Sequence, residues 1–145
     1  MSEQNMALMR EIYGVIASGD ADRADEFLAE DLIEHEDQPP GSPQGLAGFK
    51  DFVRRIKAGF PDLECHIEDM TADGEKVWAR TRITGTHQGE FMGVPATGNR
   101  VEFEVMDISR FENGKGVEHW GISDAMGLMA QIGASPSGAP GQSAP

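Results

Sequence analysis

The chain has 145 residues, 25 acidic and 12 basic, and a formal net charge of −13. This length suits one domain with its own core, and the negative charge argues against binding to nucleic acid or to anionic lipid. A single cysteine excludes an internal disulfide, and no apolar run approaches the roughly 20 residues that span a bilayer. The N-terminus carries no leader pattern, so we expect a cytoplasmic protein.

The N-terminal segment, from Gln4 to Ser18, has the apolar periodicity of a helix. Its apolar side chains recur at steps of three and four: Met6, Met9, Tyr13 and Ile16. Asp20 is suited to cap a second short helix over Ala21–Leu28. A short strand is predicted over Leu32–Glu36, and the prolines and glycine that follow indicate a loop.

A third helix is predicted over Leu46–Ala58, where the apolar residues again share one face: Phe49, Phe52, Val53 and Ile56. After Gly59 the apolar period becomes two, which indicates strands. One strand is predicted over Leu63–Glu68 and the next over Lys76–His87. The second has four residues on one face: Val77, Ala79, Thr81 and Ile83.

The hairpin between these strands turns at Ala72–Glu75. A three-residue loop keeps the apolar faces together and pairs opposite charges, so we prefer it to a two-residue loop. It predicts three opposed pairs: Cys65 with Ile83, Ile67 with Thr81, and Glu68 with Arg80.

Two more strands and a helix complete the chain. Gln88–Asn99 is rich in glycine and indicates a loop with an apolar tip. Strands are predicted over Arg100–Phe111 and Lys115–Asp124, joined by the favoured hairpin dipeptide Asn113-Gly114. A terminal helix is predicted over Ala125–Ile132.

Helices followed by strands indicate an α+β fold, in which a curved antiparallel sheet wraps around the N-terminal helices. A curved sheet wrapped around helices leaves a concave apolar pocket at its mouth. The domain is predicted over residues 4–132. Residues 133–145 contain only Gly, Ala, Ser, Pro and Gln and are predicted to form a flexible tail.

Four titratable residues are candidates for catalysis. A two-residue turn at Asn113-Gly114 would place Asp107 opposite Trp120, and Asp107 and Asp124 would then share the inner face of the sheet. Burial raises the pKa of a carboxyl group, which suits general acid/base chemistry near neutral pH, although Asp124 is equally placed to cap the terminal helix. His35 is predicted near the pocket mouth, and His119 on the opposite face from Trp120; either is otherwise a structural hydrogen-bonding residue.

A substrate pocket is predicted from apolar and aromatic residues, with methionines that adapt to irregular shapes. The candidates are Trp120, Phe91, Met92, Phe49, Tyr13 and Met106. The histidine and cysteine spacings of metal sites are absent from the sequence, as is the glycine pattern of a dinucleotide site. We therefore expect neither a metal nor a dinucleotide cofactor.

Several motifs together resemble the SnoaL-like polyketide cyclases of the nuclear-transport-factor-2-like superfamily. They are Gly59-Phe60-Pro61-Asp62-Leu63, Gly85-Thr86-His87-Gln88-Gly89-Glu90-Phe91, Gly93-Val94-Pro95-Ala96-Thr97-Gly98, Val117-Glu118-His119-Trp120 and Asp124-Ala125-Met126-Gly127-Leu128. The resemblance covers roughly residues 5–133. It implies a cone with one deep pocket, homodimers formed through the outer sheet face, and catalysis without a metal or an organic cofactor.

The resemblance also implies a reaction, the intramolecular aldol closure of a ring in an aromatic polyketide ester, as in antibiotic biosynthesis. The family's acid/base aspartate corresponds to Asp124, and its pocket histidine falls near Asp107. Two alternatives stay open. One is a hydroxylase, or the partner of one, which would need a reductase, and the aspartate at position 107 favours it. The other is a non-catalytic domain that binds a small molecule.

Overall fold

The computed structural model describes residues 2–133. Its helices are α1 (Ser2–Ser18), a 3-10 helix (Ala21–Glu26), α2 (Gly45–Gly59) and α3 (Ala125–Gln131). Its strands are β1 (Leu28–Glu34), β2 (Glu64–Asp73), β3 (Lys76–Thr86), β4 (Arg100–Glu112) and β5 (Lys115–Ser123). Helices packed on a sheet confirm the α+β class. The predicted tail, apart from Gly133, lies outside the described residues.

Within residues 2–133 the strands form one sheet in the order β1-β5-β4-β3-β2. Strands β2 to β5 form the antiparallel meander that was predicted. Strand β1 adds a parallel edge next to β5, so the sheet is mixed, and Glu34 at the end of β1 lies opposite His119. No helix in this part of the chain is long and apolar enough to cross a membrane.

One face of the sheet packs against α1 and α2 and forms the core. The four residues of β3 that were predicted to share a face are all buried: Val77, Ala79, Thr81 and Ile83. Helix α2 ends where the Phe60 N–H donates to the Ile56 carbonyl at 2.9 Å. A Cβ on Gly59 would lie 2.9 Å from Cβ of Phe91, so the glycine lets the tip of the 88–99 loop pack directly on α2.

Strand β1 begins earlier than predicted and ends at Glu34, not Glu36. The predicted helix over Ala21–Leu28 is wrong at its end, because Leu28 pairs with Gly116 of β5. A Cβ at Gly116 would lie 2.7 Å from Cδ2 of Leu28, so the glycine makes room for the leucine against the sheet. Burial of Leu28 in the sheet outweighs a weak local preference for helix.

The β2–β3 hairpin confirms two predicted pairs: Cys65 with Ile83 and Ile67 with Thr81. The third pair is wrong, because Arg80 lies opposite Asp69 and the register shifts by one residue at Glu68. The turn has two residues, between the paired Asp73 and Lys76. The bulge therefore supplies the extra residue that the prediction placed in the loop.

The β4–β5 hairpin differs from the prediction in a way that matters for function. The turn is as expected, with positive φ at Asn113 (50°) and Gly114 (79°). Beyond it the register shifts by one residue at Val117, so Asp107 lies opposite Gly121 instead of Trp120. A shift of one residue turns every later side chain to the other face.

The shift at Val117 reverses the predicted faces of β5. His119 points inward, next to Asp107, although it was predicted on the outer face. Trp120 and Ile122 lie on the outer face, although they were predicted inside, and Ile122 is 76% exposed. The inner face of β4 is as predicted, with Val101 and Phe103 buried in the core.

Candidate active site

A cavity of about 650 Å³ lies between the inner face of the sheet and helices α1 and α2. Its volume falls within the ~300–1,000 Å³ of small-molecule sites. Most of its wall is apolar, with contributions from all three α-helices, the sheet and the 88–99 loop: Met9, Ile12, Phe49, Phe52, Ile83, Phe91, Phe103 and Leu128. The cavity therefore suits a largely apolar ligand, and its few polar groups decide what chemistry it supports.

The polar groups centre on His119, which lies between two carboxylates. Its Nε2 lies 2.9 Å from Oδ1 of Asp107, and its Nδ1 lies 2.6 Å from Oε2 of Glu34. Three strands supply the three residues: β5 carries His119, β4 carries Asp107, and β1 ends at Glu34. The parallel pairing of β1 with β5 brings the glutamate to the histidine.

The two carboxylates control the charge of His119. Burial by itself disfavours the imidazolium, but the hydrogen bonds and negative charges of Asp107 and Glu34 outweigh it and raise the pKa of His119 to about 10. The ring is therefore protonated at neutral pH, and both of its N–H groups donate to carboxylate oxygens. The imidazolium is thus ion-paired with two carboxylates inside a mainly apolar cavity.

Tyr13 of α1 extends this cluster. Its hydroxyl donates a hydrogen bond to Oδ2 of Asp107, so Asp107 accepts from both Tyr13 and His119. Burial, and then the negative charge of Asp107, raise the pKa of the Tyr13 phenol. The phenol thus stays protonated and acts as a hydrogen-bond donor. Tyr13 lies on the apolar face that the sequence predicts for the first helix.

Glu36 is a third carboxylate on the cavity wall. Its Oε2 accepts a hydrogen bond from the Ser123 hydroxyl at 3.2 Å, and its backbone N–H donates to Oε2 of Glu34 at 3.0 Å. Burial raises the pKa of Glu36, His119 lowers it, and the charges of Asp107 and Glu34 raise it, so the net shift is upward. Glu36 is consequently a stronger base than an exposed glutamate.

A metal ion bound in this cluster would have to displace a proton from His119. Within residues 2–133, Glu34, Glu36 and His119 each bring one ligand atom within 4.8 Å of the others. Both ring nitrogens of His119 already donate to carboxylates, and a metal would have to replace a proton from an imidazole with a pKa of about 10. We interpret the group as an acid/base cluster.

Asp124 does not line the cavity, and its predicted place on the inner face is wrong. It is exposed and caps α3, with Oδ1 accepting from the Gly127 N–H at 2.9 Å. The helix cap, which was the alternative interpretation from sequence, is present in the structure. The prediction is wrong for two reasons. Strand β5 ends at Ser123, one residue before Asp124, and the register shift at Val117 exchanges the inner and outer faces of β5.

The other predicted site residues divide into two groups. The cavity wall includes Tyr13, Phe49, Phe91 and Met92. Trp120 and Met106 are not part of it, because they lie on the outer face, where Met106 is 53% exposed. His35 also lines the cavity.

The ring of His35, however, is engaged on the outer side of β5. It stacks on Trp120 with centroids 4.8 Å apart, and its Nε2 lies 2.7 Å from Oε2 of Glu118. His35 and His119 therefore belong to different faces of the sheet. Only His119 joins the acid/base cluster.

Sequence analysis missed three residues of this site, which are Glu34, Glu36 and Gly121. A signal for the two glutamates was present, because period-two alternation in the predicted strand Leu32–Glu36 puts both on the face of the buried Leu32. Gly121 carried no comparable signal. Its role depends on which residues surround it, and only the folded sheet decides that.

Comparisons with known proteins agree with this architecture. A family model described as SnoaL-like polyketide cyclase matches residues 6–132. Aklanonic acid methyl ester cyclase DnrD of Streptomyces peucetius is 30% identical over 74% of this chain and 72% of that protein. Aklanonic acid methyl ester cyclase DauD of Streptomyces sp. strain C5 is 28% identical over 87% of this chain and 80% of its own.

The fold is also found among solved structures. TsrD from Streptomyces laurentii superposes with a TM-score of 0.82 and 27% sequence identity, covering 90% of this chain and 96% of that one. A superposition of this extent shows that the two chains share the α+β fold.

Proposed function

Since the chain belongs to the SnoaL-like polyketide cyclase family, we propose that it closes a ring of an aromatic polyketide ester by an intramolecular aldol step. The observation that carries this proposal is a histidine held between two carboxylates in an apolar cavity. The cavity is large enough for a drug-sized aromatic molecule. The relatives named as methyl ester cyclases support the substrate class.

The proposed chemistry moves one proton and forms one carbon–carbon bond. A base removes a proton from the carbon next to a carbonyl group, and the resulting enolate attacks a ketone carbon of the same molecule. The ketone oxygen then takes up a proton, so substrate and product are isomers and no oxidant or reductant is consumed. His119, as an imidazolium, is the group suited to protonate that oxygen, and for this the substrate oxygen replaces Asp107 or Glu34 as the acceptor of one of its two N–H groups.

Asp107, Glu34 and Tyr13 support His119 in this scheme. Asp107 and Glu34 orient the ring through its two nitrogens and keep it charged. Tyr13 in turn fixes the second oxygen of Asp107. We assign the acid role to His119 with Asp107 in place of Asp124, since Asp124 is committed to capping α3.

The direct test uses the methyl ester of aklanonic acid, the substrate named for the relatives. Purified protein without any added reductant is expected to give a ring-closed isomer with the mass of its substrate. His119→Gln is expected to lower the turnover number by about 100-fold or more, the usual contribution of a general acid.

Two other outcomes would contradict the cyclase proposal. A product heavier by one oxygen atom, formed only with a reductase and dioxygen, would support the hydroxylase alternative. Binding of the ester without conversion, unchanged in His119→Gln and Asp107→Asn, would support a non-catalytic binding domain.

We also propose that the outer face of the sheet binds a second copy of the chain. Three large apolar side chains are exposed there, Trp78 at 44%, Met106 at 53% and Ile122 at 76%. Met106 and Ile122 are direct cross-strand neighbours, so they form a continuous patch. Exposed apolar patches of this kind mark association surfaces, and a self-complementary patch suits a two-fold dimer.

A further inference from the structure

Glu36 lies beside the acid/base cluster but outside the hydrogen bonds that hold it together. It follows the end of β1 by two residues, and its backbone N–H donates to Oε2 of Glu34 at 3.0 Å. The carboxylate lies within 4.8 Å of the ligand atoms of Glu34 and His119. It also forms part of the cavity wall, so a bound substrate can reach it.

Gly121 leaves the space that lets Glu36 lie close to Asp107 and His119. A Cβ at position 121 would lie 2.6 Å from Oε1 of Glu36, 2.8 Å from Oδ1 of Asp107 and 2.8 Å from Cε1 of His119. Real Cβ atoms do not tolerate such distances, so any side chain at this position would push the three groups apart. The gap left by the glycine is where the two carboxylates and the imidazolium converge.

The three carboxylates differ in the hydrogen bonds that their oxygens accept. Asp107 and Glu34 each accept a hydrogen bond from the charged ring of His119, and Asp107 accepts a second one from Tyr13. These bonds occupy both oxygens of Asp107 and one oxygen of Glu34. In the described part of the chain, the Glu36 carboxylate accepts a hydrogen bond from Ser123 alone.

We infer that Glu36 is the general base of the reaction, and that Gly121 is the positioning residue that brings it to the imidazolium. This inference rests on the proposed cyclase function. An oxygen of Glu36 takes the proton from the carbon next to the carbonyl, and the electron pair of the broken C–H bond becomes the enolate. The enolate forms the new carbon–carbon bond, and the ketone oxygen takes a proton from His119.

A proton transfer within the cluster returns Glu36 and His119 to their starting protonation states. After the ring forms, Glu36 is a neutral carboxylic acid and His119 a neutral imidazole. Their polar atoms lie within 4.8 Å of each other, a span that one water molecule or a substrate hydroxyl bridges. The proton returns from Glu36 to His119, and both groups regain their starting charges.

The test separates proton removal from ring closure. A polyketide methyl ester whose acceptor ketone is reduced to an alcohol cannot cyclise, but the hydrogen next to its ester carbonyl still exchanges in D2O. Wild-type protein is expected to catalyse this exchange, and Glu36→Gln to slow it by about 100-fold or more. His119→Gln should retain most of the exchange while losing ring closure on the intact ester.

A matched control and a second variant keep the test decisive. Glu30→Gln removes a carboxylate from the exposed side of β1, away from the cavity, and should leave exchange unchanged. Ser123→Ala removes the hydrogen bond that lowers the pKa of Glu36. Since exchange requires the ionised carboxylate, its acidic limb should move to higher pH in Ser123→Ala.

The outcomes distinguish the two proposals. If wild-type protein cyclises the ester and His119→Gln does not, but Glu36→Gln exchanges at the wild-type rate, the role of Glu36 is refuted and the function stands. An acidic limb that stays in place in Ser123→Ala also counts against Glu36. If wild-type protein neither cyclises the ester nor exchanges the analogue, both proposals fail together.

Discussion

Nε2 of His119 lies 2.9 Å from Oδ1 of Asp107, although the two residues are not opposite each other in the β4–β5 ladder. Asp107 is opposite Gly121, and His119 is opposite Ser109, so the contact is diagonal across the inner face. A diagonal contact is within reach of long side chains. The space for this diagonal contact is free because the residue directly opposite Asp107 is a glycine and has no side chain.

Asp107→Asn should impair the reaction more than the binding of substrate. The amide has nearly the shape of the carboxylate but lacks its charge, so the pKa of His119 should fall from about 10 toward its ordinary value. We expect the turnover number to fall by about 100-fold, with KM changed much less. Steady-state kinetics on the ester checks this, and an equal loss in binding would assign Asp107 to substrate recognition instead.

Asp124→Ala should affect stability, with little effect on turnover. The substitution removes the hydrogen bond from the Gly127 N–H at the start of α3. Loss of an N-cap costs about 1 kcal/mol, which thermal or chemical unfolding measures directly. Turnover is expected to stay within a few-fold of wild type. A loss as large as that of His119→Gln would return the acid/base role to Asp124.

The folded state should lose stability as the pH rises from neutral into the alkaline range, because of His119. Its pKa is about 10 in the folded protein and about 6.5 in the unfolded chain. The stabilisation is complete below pH ~6.5 and is lost as the pH rises through about 10. Urea unfolding of the wild type and His119→Gln between pH 6 and 10 should give free energies that converge with increasing pH. Parallel curves would show that the ring is not charged in the folded state.

Gly121→Ala tests the close approach at the centre of the cluster. The added methyl group would lie within 3 Å of Glu36, Asp107 and His119, so we expect turnover to fall by about tenfold or more, since small displacements of catalytic groups are costly. Gly14→Ala is the matched control, because nothing lies within 4 Å of a Cβ on that helical glycine. The control should be neutral or slightly stabilising. Equal activity of both variants would contradict the role of Gly121.

Ile122→Lys should disrupt the proposed dimer. It places a charge in the outer apolar patch beside Met106, where a partner copy would have to desolvate it. Light scattering is expected to report a dimer for the wild type and a monomer for the variant. Asp73→Lys, an exposed change at the β2–β3 turn, should leave the dimer intact. A monomeric wild type would refute the interface.

Much of the scaffold was readable from the sequence because local periodicity reports burial directly. The alternating residues of β3 are buried as predicted, and Asn113-Gly114 turns the last hairpin with the positive φ values that its residue types favour. The apolar face of α2 and the order of helices before strands were enough for the α+β class. The residues Val117–Trp120 and Asp124–Leu128 contributed to the family resemblance, which the family model confirms.

The centre of the site was decided only by tertiary structure. The amino-acid sequence gives no signal for the one-residue bulge at Val117, since the residue pattern of β5 is compatible with either pairing register. The bulge nevertheless places His119 on the inner face of the sheet and Trp120 on the outer face. The parallel pairing of β1 adds Glu34 from a segment 85 positions earlier in the chain. Local pattern determined which residues form each strand, whereas long-range pairing, through burial and hydrogen bonding, determined which side chains meet.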